Sequence, residues 1–188
     1  MKFTLRPASF AVLVAQLTLA VPGLASSPVL ALPHTAQEVI AKLNLTANPE
    51  KGYFIQTFQD PDNATIPAGN GTATSQRSFS TAIYYLLEGC DGDSLWHRVD
   101  AVEVWHYYAG APLTLSLSYD DGIPPVKKVL GPDIFSEDEQ RPQVAIGKFQ
   151  WQSARSHGNW TLVGTTVAPG FTGSGVELAA PGWKPNGA

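Results

Sequence analysis

Ser94-Leu-Trp-His-Arg-Val-Asp-Ala-Val-Glu-Val-Trp-His-Tyr-Tyr-Ala-Gly110 reads as a strand, a short break and a second strand that ends in glycine. The stretch carries two histidines, one glutamate, two tryptophans and two tyrosines. A solvent-facing strand has no use for so many rings beside His and Glu, whereas the lining of a pocket does. Alternation puts Glu103, Trp105 and Tyr107 on one face of the second strand and Val104, His106 and Tyr108 on the other. With Glu103 facing inward, Trp105 and Tyr107 follow it and offer rings for a sugar or a flat organic ligand. His106 then faces away, in a structural role.

Strands dominate outward from this segment. Gly52–Phe58 and Phe79–Leu87 are β-rich runs, the second stopped by Glu88-Gly-Cys-Asp-Gly-Asp93. Leu113, Leu115, Leu117 and Tyr119 alternate with Thr114, Ser116 and Ser118 before the turn at Asp120-Asp-Gly122. Val126–Leu130, Gln143–Ile146, Phe149–Ser153 and Trp160–Val167 bring the expectation to about nine strands with short turns between them, the pattern of an antiparallel sandwich or barrel. Asp60–Gln76 is expected to be a polar loop. Only His34–Leu45 has helical spacing, with Ala36, Val39, Ile40 and Leu43 on one stripe.

The 188 residues suffice for one domain, and 44% apolar with 15% charged residues marks a globular chain. The net charge of -4 and the lack of a basic stripe exclude nucleic acid as the expected partner. Lys2 and Arg6, an apolar run from Ala8 to Val21 and small residues at Gly23-Leu-Ala25 follow the plan of a secretory signal peptide. The run is shorter than the roughly 18–20 residues of a membrane span. Residues 1–25 are therefore expected to be removed, leaving a secreted protein of net charge -6 with no membrane anchor. Asn44, Asn63, Asn70 and Asn159 each begin an Asn-X-Ser/Thr sequon, and Asn63 and Asn70 are the preferred glycan acceptors. The lone Cys90 forms no internal disulfide and reads as a small residue at a strand end. The domain is expected over residues 34–180, followed by a flexible Pro/Gly-rich tail, 181–188.

Several segments together resemble the cupin-5 family (domain of unknown function 985) of the cupin superfamily. They are Asn48-Pro-Glu-Lys-Gly-Tyr-Phe54, Arg77-Ser-Phe-Ser-Thr-Ala-Ile-Tyr-Tyr-Leu-Leu87, Ser94–Val99, Glu103–Leu113, Leu130-Gly-Pro-Asp133, Pro142-Gln-Val144, Trp151-Gln152 and Val167-Ala-Pro-Gly-Phe171. The resemblance implies an all-β, double-stranded β-helix: an RmlC-like jelly-roll barrel open at one end, with a short N-terminal helix and a tendency to form homodimers. The superfamily's first motif sets Gly, His-x-His, Glu and Gly in a frame that Gly92, His97, Glu103 and Gly110 match. Val99 stands in place of the second histidine, and Gln152 stands at about the position of the third. Two of the four usual ligands are thus missing. No cofactor is expected, and a weakly bound divalent metal on His97, Glu103 and Gln152 is the lesser alternative.

His97 and Glu103 are the candidate catalytic pair, His97 as base and Glu103 as the carboxylate that orients it. Tyr53, Arg77, Trp105, Tyr107 and Gln152 are candidate ligand contacts, Arg77 for an anionic group. His34 and His157 read as solvated. The expected function is binding of a small polar or aromatic molecule, with carbohydrate among the options and metal-independent isomerase, epimerase or cyclase chemistry if the protein is an enzyme. A non-catalytic binding or storage cupin is the alternative, and a metal-dependent oxygenase comes third. An acid–base site predicts a His97–Glu103 hydrogen bond in an open cavity; a storage role predicts a cavity plugged by Trp105 and Tyr107.

Overall fold

A computed structural model describes residues 34–67 and 74–188. The expected signal peptide and Asn70 lie outside them. Thr35 caps the helix α1 (Ala36–Leu43) in both directions: its Oγ1 accepts from the Glu38 N–H at 3.2 Å, and Glu38 Oε2 accepts from the Thr35 N–H at 2.7 Å. Asn44 ends the helix in the left-handed conformation, φ 55°. The helix buries its stripe of Ala36, Val39, Ile40 and Leu43 with Leu45, Leu86 and Trp160.

Thirteen strands follow among the described residues. The first six are β1 (Thr46–Ala47), β2 (Tyr53–Gln59), β3 (Asn63–Pro67), β4 (Thr74–Ser78), β5 (Thr81–Glu88) and β6 (His97–Val99). Next come β7 (Val102–Gly110), β8 (Leu113–Ser118), β9 (Val126–Leu130), β10 (Gln143–Ile146), β11 (Trp151–Ser156), β12 (Trp160–Ala168) and β13 (Val176–Leu178). One sheet has the order β1-β2-β5-β12-β7-β10 and the other β13-β6-β11-β8-β9. Every pairing of named strands is antiparallel. The all-β barrel expected from the sequence is the observed fold.

Within the supposed loop at Asp60–Gln76, the described residues instead pair as a β3–β4 ribbon, Asn63 opposite Ser78 and Ile66 opposite Ser75. Its polarity misled the sequence reading because the ribbon stands alone as a two-stranded sheet and need not bury a face. The Pro/Gly-rich tail is also held. Trp183 packs on Trp151 with centroids 4.4 Å apart, the Asn186 N–H donates to Asp120 Oδ1 at 2.7 Å, and Pro185 is buried. Asn44, Asn63 and Asn159 are exposed. Cys90 is exposed on a short 3-10 turn, Gly89–Asp91, rather than at a strand end.

The leucine alternation on β8 places Leu113, Leu115 and Leu117 in the space between the sheets, where they are almost fully buried with Leu87, Leu130 and Ile146. This aliphatic plug fills one part of the barrel. A smaller cluster of Val99, Ala101 and Val167 lies elsewhere, and Val99 and Val167 line a cavity.

Candidate functional site

The cavity has a volume of about 290 Å³, at the low end for small-molecule sites. Six strands and the turn at Asn48–Glu50 supply its walls, β12 with Thr165 and Val167 and β13 with Val176 and Leu178 among them. β5 contributes Thr81, Ile83 and Tyr85, one face of a strand read at period two. β2 contributes Phe54 and Gln56, β7 contributes Glu103 and Trp105, and β6 contributes His97 and Val99. Pro49, Phe171 and Leu178 line it and are solvent-exposed, so they mark its mouth.

His97 is 3% exposed. Its Nδ1 lies 3.2 Å from the Leu95 carbonyl oxygen, and its Nε2 lies 3.4 Å from Glu50 Oε2. A carbonyl only accepts, so Nδ1 carries a hydrogen and donates it. Nε2 then faces a carboxyl oxygen, a contact that is attractive when one further proton sits between them. The pair is either imidazolium with carboxylate or imidazole with carboxylic acid. Burial pushes the Glu50 carboxyl above its usual range; His97 opposes that rise and Glu103 adds to it.

Glu103 has a different partner. Gln152 Nε2 donates to Glu103 Oε2 at 2.6 Å, and both residues are buried. Gln152 sits opposite His97 across the β11–β6 pairing, which brings it to the site. Two buried polar atoms are left without partners here, Gln152 Oε1 and Trp105 Nε1. Tyr85 closes the wall beside them. Its hydroxyl donates to the Lys51 carbonyl at 2.9 Å, and burial raises its pKa well above the normal tyrosine range.

The structure gathers His97, Glu103 and Trp105 on the cavity, but it sets Gln152 against Glu103 and out of the lining, and it changes the pairing. The carboxylate on His97 is Glu50, and no His97–Glu103 hydrogen bond forms. Glu50 escaped the sequence reading because it sits in a turn with no periodicity, although its Asn48–Phe54 segment was among those that carried the family resemblance. Tyr53, a candidate ligand contact, does not line the cavity. The parity of β2 turns Phe54 and Gln56 inward and packs Tyr53 with Leu86 and Trp160 on the helix side. Arg77 is also elsewhere, because the chain bends at Phe79-Ser80 and the alternation running through Tyr85 starts only at Thr81. Its Nη2 sits 2.8 Å from Asp100 Oδ1, and its Nε donates to the Gly170 carbonyl. Tyr107 shares the inward face but lies in the core; its hydroxyl donates to the Gly110 carbonyl at 2.6 Å and burial raises its pKa. Trp105 lines the cavity and Tyr107 stays out of it, so neither plugs it.

His106 is on the outer face of the sheet, its Nδ1 3.0 Å from Gln143 Nε2 and its ring stacked near Tyr108. His34 is mostly exposed, 3.8 Å from Glu38, and His157 is exposed beside Thr114.

The donor set does not make the metal centre of the superfamily's usual motif. Val99 turns an isopropyl group into the cavity beside His97, and the Gln152 amide is engaged as a donor to Glu103. Among the described residues no three His, Cys, Asp or Glu side chains converge as a metal site.

Two antiparallel sheets closed over a cavity, with His97, Glu103 and Gln152 at the positions of the ligand motifs, define a cupin barrel. The chain belongs to the Cupin_5 family, described as Cupin superfamily (DUF985), whose model matches residues 37–179. Among solved structures it is similar to a Shewanella oneidensis protein at 27% identity, covering 78% of this chain and 85% of that one with a TM-score of 0.64. A hypothetical protein from Leishmania major is similar in fold at 24% identity, covering 77% and 86% with a TM-score of 0.66. No curated protein matches the chain.

Proposed function

We propose that this chain is a secreted cupin barrel whose cavity binds a small polar or aromatic molecule and moves a proton on it without a metal. The observation that carries this reading is the Glu50–His97 pair, Nε2 3.4 Å from Oε2, on the wall of the cavity. Glu103 lines the same space as a second carboxylate, held by an amide. A proton shift within one molecule, as in isomerisation, epimerisation or cyclisation, needs a group that delivers a proton and another that accepts one. The Glu50–His97 pair supplies the first and Glu103 the second. Mostly apolar walls exclude water and strengthen these interactions.

A fragment screen on the metal-stripped protein tests the proposal, with the indole N–H resonance of Trp105 as reporter. Fragments of six to twelve non-hydrogen atoms should shift that resonance. Incubated in D2O, a fragment with an acidic C–H should gain deuterium with the wild type and not with His97→Asn. Fragments that bind without exchange would leave a binding protein and remove the chemistry. No fragment moving the Trp105 signal would remove both.

A further inference from the structure

We infer that the cavity selects a small organic cation, a protonated amine or amino alcohol carrying one positive charge. The inference rests on the binding role proposed above. Its starting point is charge. No lysine or arginine lines the cavity, and among the described residues none makes an ion pair with Glu103. His97 cannot serve Glu103, because its Nε2 faces Glu50 and their shared proton leaves that pair neutral overall in either form. Glu103 is therefore a buried carboxylate held by an amide alone. A charge in that position is costly without a counter-charge, and a bound cation supplies one.

The lining acceptors point the same way. Glu50 and Glu103 both put carboxyl groups on the cavity wall, which matches the several N–H groups of an ammonium. Asn48 and Thr165 also line the cavity and carry donors that suit a single hydroxyl oxygen on the same ligand. The rings of Phe54, Tyr85 and Trp105 line the cavity and add faces that attract a cation. An anionic ligand meets the opposite of each of these features.

Three ligands of nearly one shape test the inference: cyclohexylammonium, cyclohexanol and cyclohexanecarboxylate, titrated calorimetrically at pH 7 into wild type and Glu103→Gln. The wild type should bind the ammonium at least tenfold more tightly than the alcohol and should not bind the carboxylate. Glu103→Gln should reduce the ammonium-to-alcohol ratio to near one. Should that variant not fold, the wild-type ratio decides alone. An alcohol bound as tightly as the ammonium, or a bound carboxylate, overturns the cation inference and leaves the cavity a ligand site. No binding by any of the three overturns the ligand site and the inference with it.

Discussion

Half-buried Glu50 and buried Glu103 are carboxyls on one cavity, and their neighbours give them different tasks. Glu50 faces His97 Nε2 at 3.4 Å, and its pKa is raised chiefly by desolvation. A carboxyl whose folded pKa lies above its unfolded value of about 4.5 stabilises the fold below that value and loses the contribution as pH rises through the folded pKa. Glu50→Gln removes this loss. The melting temperature of the variant relative to wild type should therefore climb between pH 4 and pH 7, as followed by circular dichroism; a constant offset would mean that Glu50 is solvated. At the metal-motif positions, elemental analysis after dialysis should find well under one transition metal per chain. Val99→His with Gln152→His should raise metal affinity, because both side chains then reach His97 and Glu103. A stoichiometric metal in the wild type would contradict the reading of the donor set. His97, Glu103, Trp105 and Gln152 were legible in the sequence because strand parity and motif spacing fix which way they face. Glu50 was not, because a turn has no parity to read.

The element that positions Glu50 is the turn from Asn48 to Gly52. Its backbone closes through Asn48 N–H to the Gly52 carbonyl at 2.9 Å, and Asn48 Oδ1 accepts from the Glu50 N–H at 2.9 Å. Lys51 Nζ ties it to the Asp91 and Asp93 carbonyls at 2.9 and 2.8 Å, and the Leu95 N–H donates to the Glu50 carbonyl at 3.0 Å. The turn and the His97 strand are thus locked together. Gly52 has φ +70°, and a Cβ there would collide with the Leu86 carbonyl oxygen. Gly52→Ala should cost about 2 kcal/mol or more in urea unfolding, through left-handed strain and the clash. It should also weaken ligand binding by displacing Glu50; a melt within a degree of wild type would contradict this view of the turn. Strand order along the chain was readable from alternation, and the β8 leucines are the clearest case. The break between β4 and β5 was not, because Arg77-Ser-Phe-Ser-Thr81 continues the polar–apolar rhythm through a bend that tertiary hydrogen bonds impose, among them Ser78 Oγ to the Asp60 and Ser80 carbonyls. That bend is what sends Arg77 to Asp100 and leaves the cavity without a cation.

Across the whole molecule, the barrel is divided between an aliphatic plug and a cavity edged with acid, amide and indole. Packing secures the plug, so the cavity side can carry buried polar groups that a smaller core would not tolerate. The tail adds to this economy. Removing residues 181–188 uncovers Trp151 and Trp96, both in contact with Trp183, and should lower stability by about 1–2 kcal/mol, checked by thermal melting. An unchanged melt would make the tail the frayed end that its composition suggests. The central claim is that Glu50 and His97 hold one proton between them on a ligand cavity. It is tested most directly by the ring-nitrogen NMR spectrum of His97 in metal-stripped protein, recorded with and without a bound fragment. The account predicts Nδ1 protonated throughout and Nε2 shifting when the fragment binds. An unprotonated Nδ1, or an Nε2 signal unmoved by every bound fragment, would contradict it.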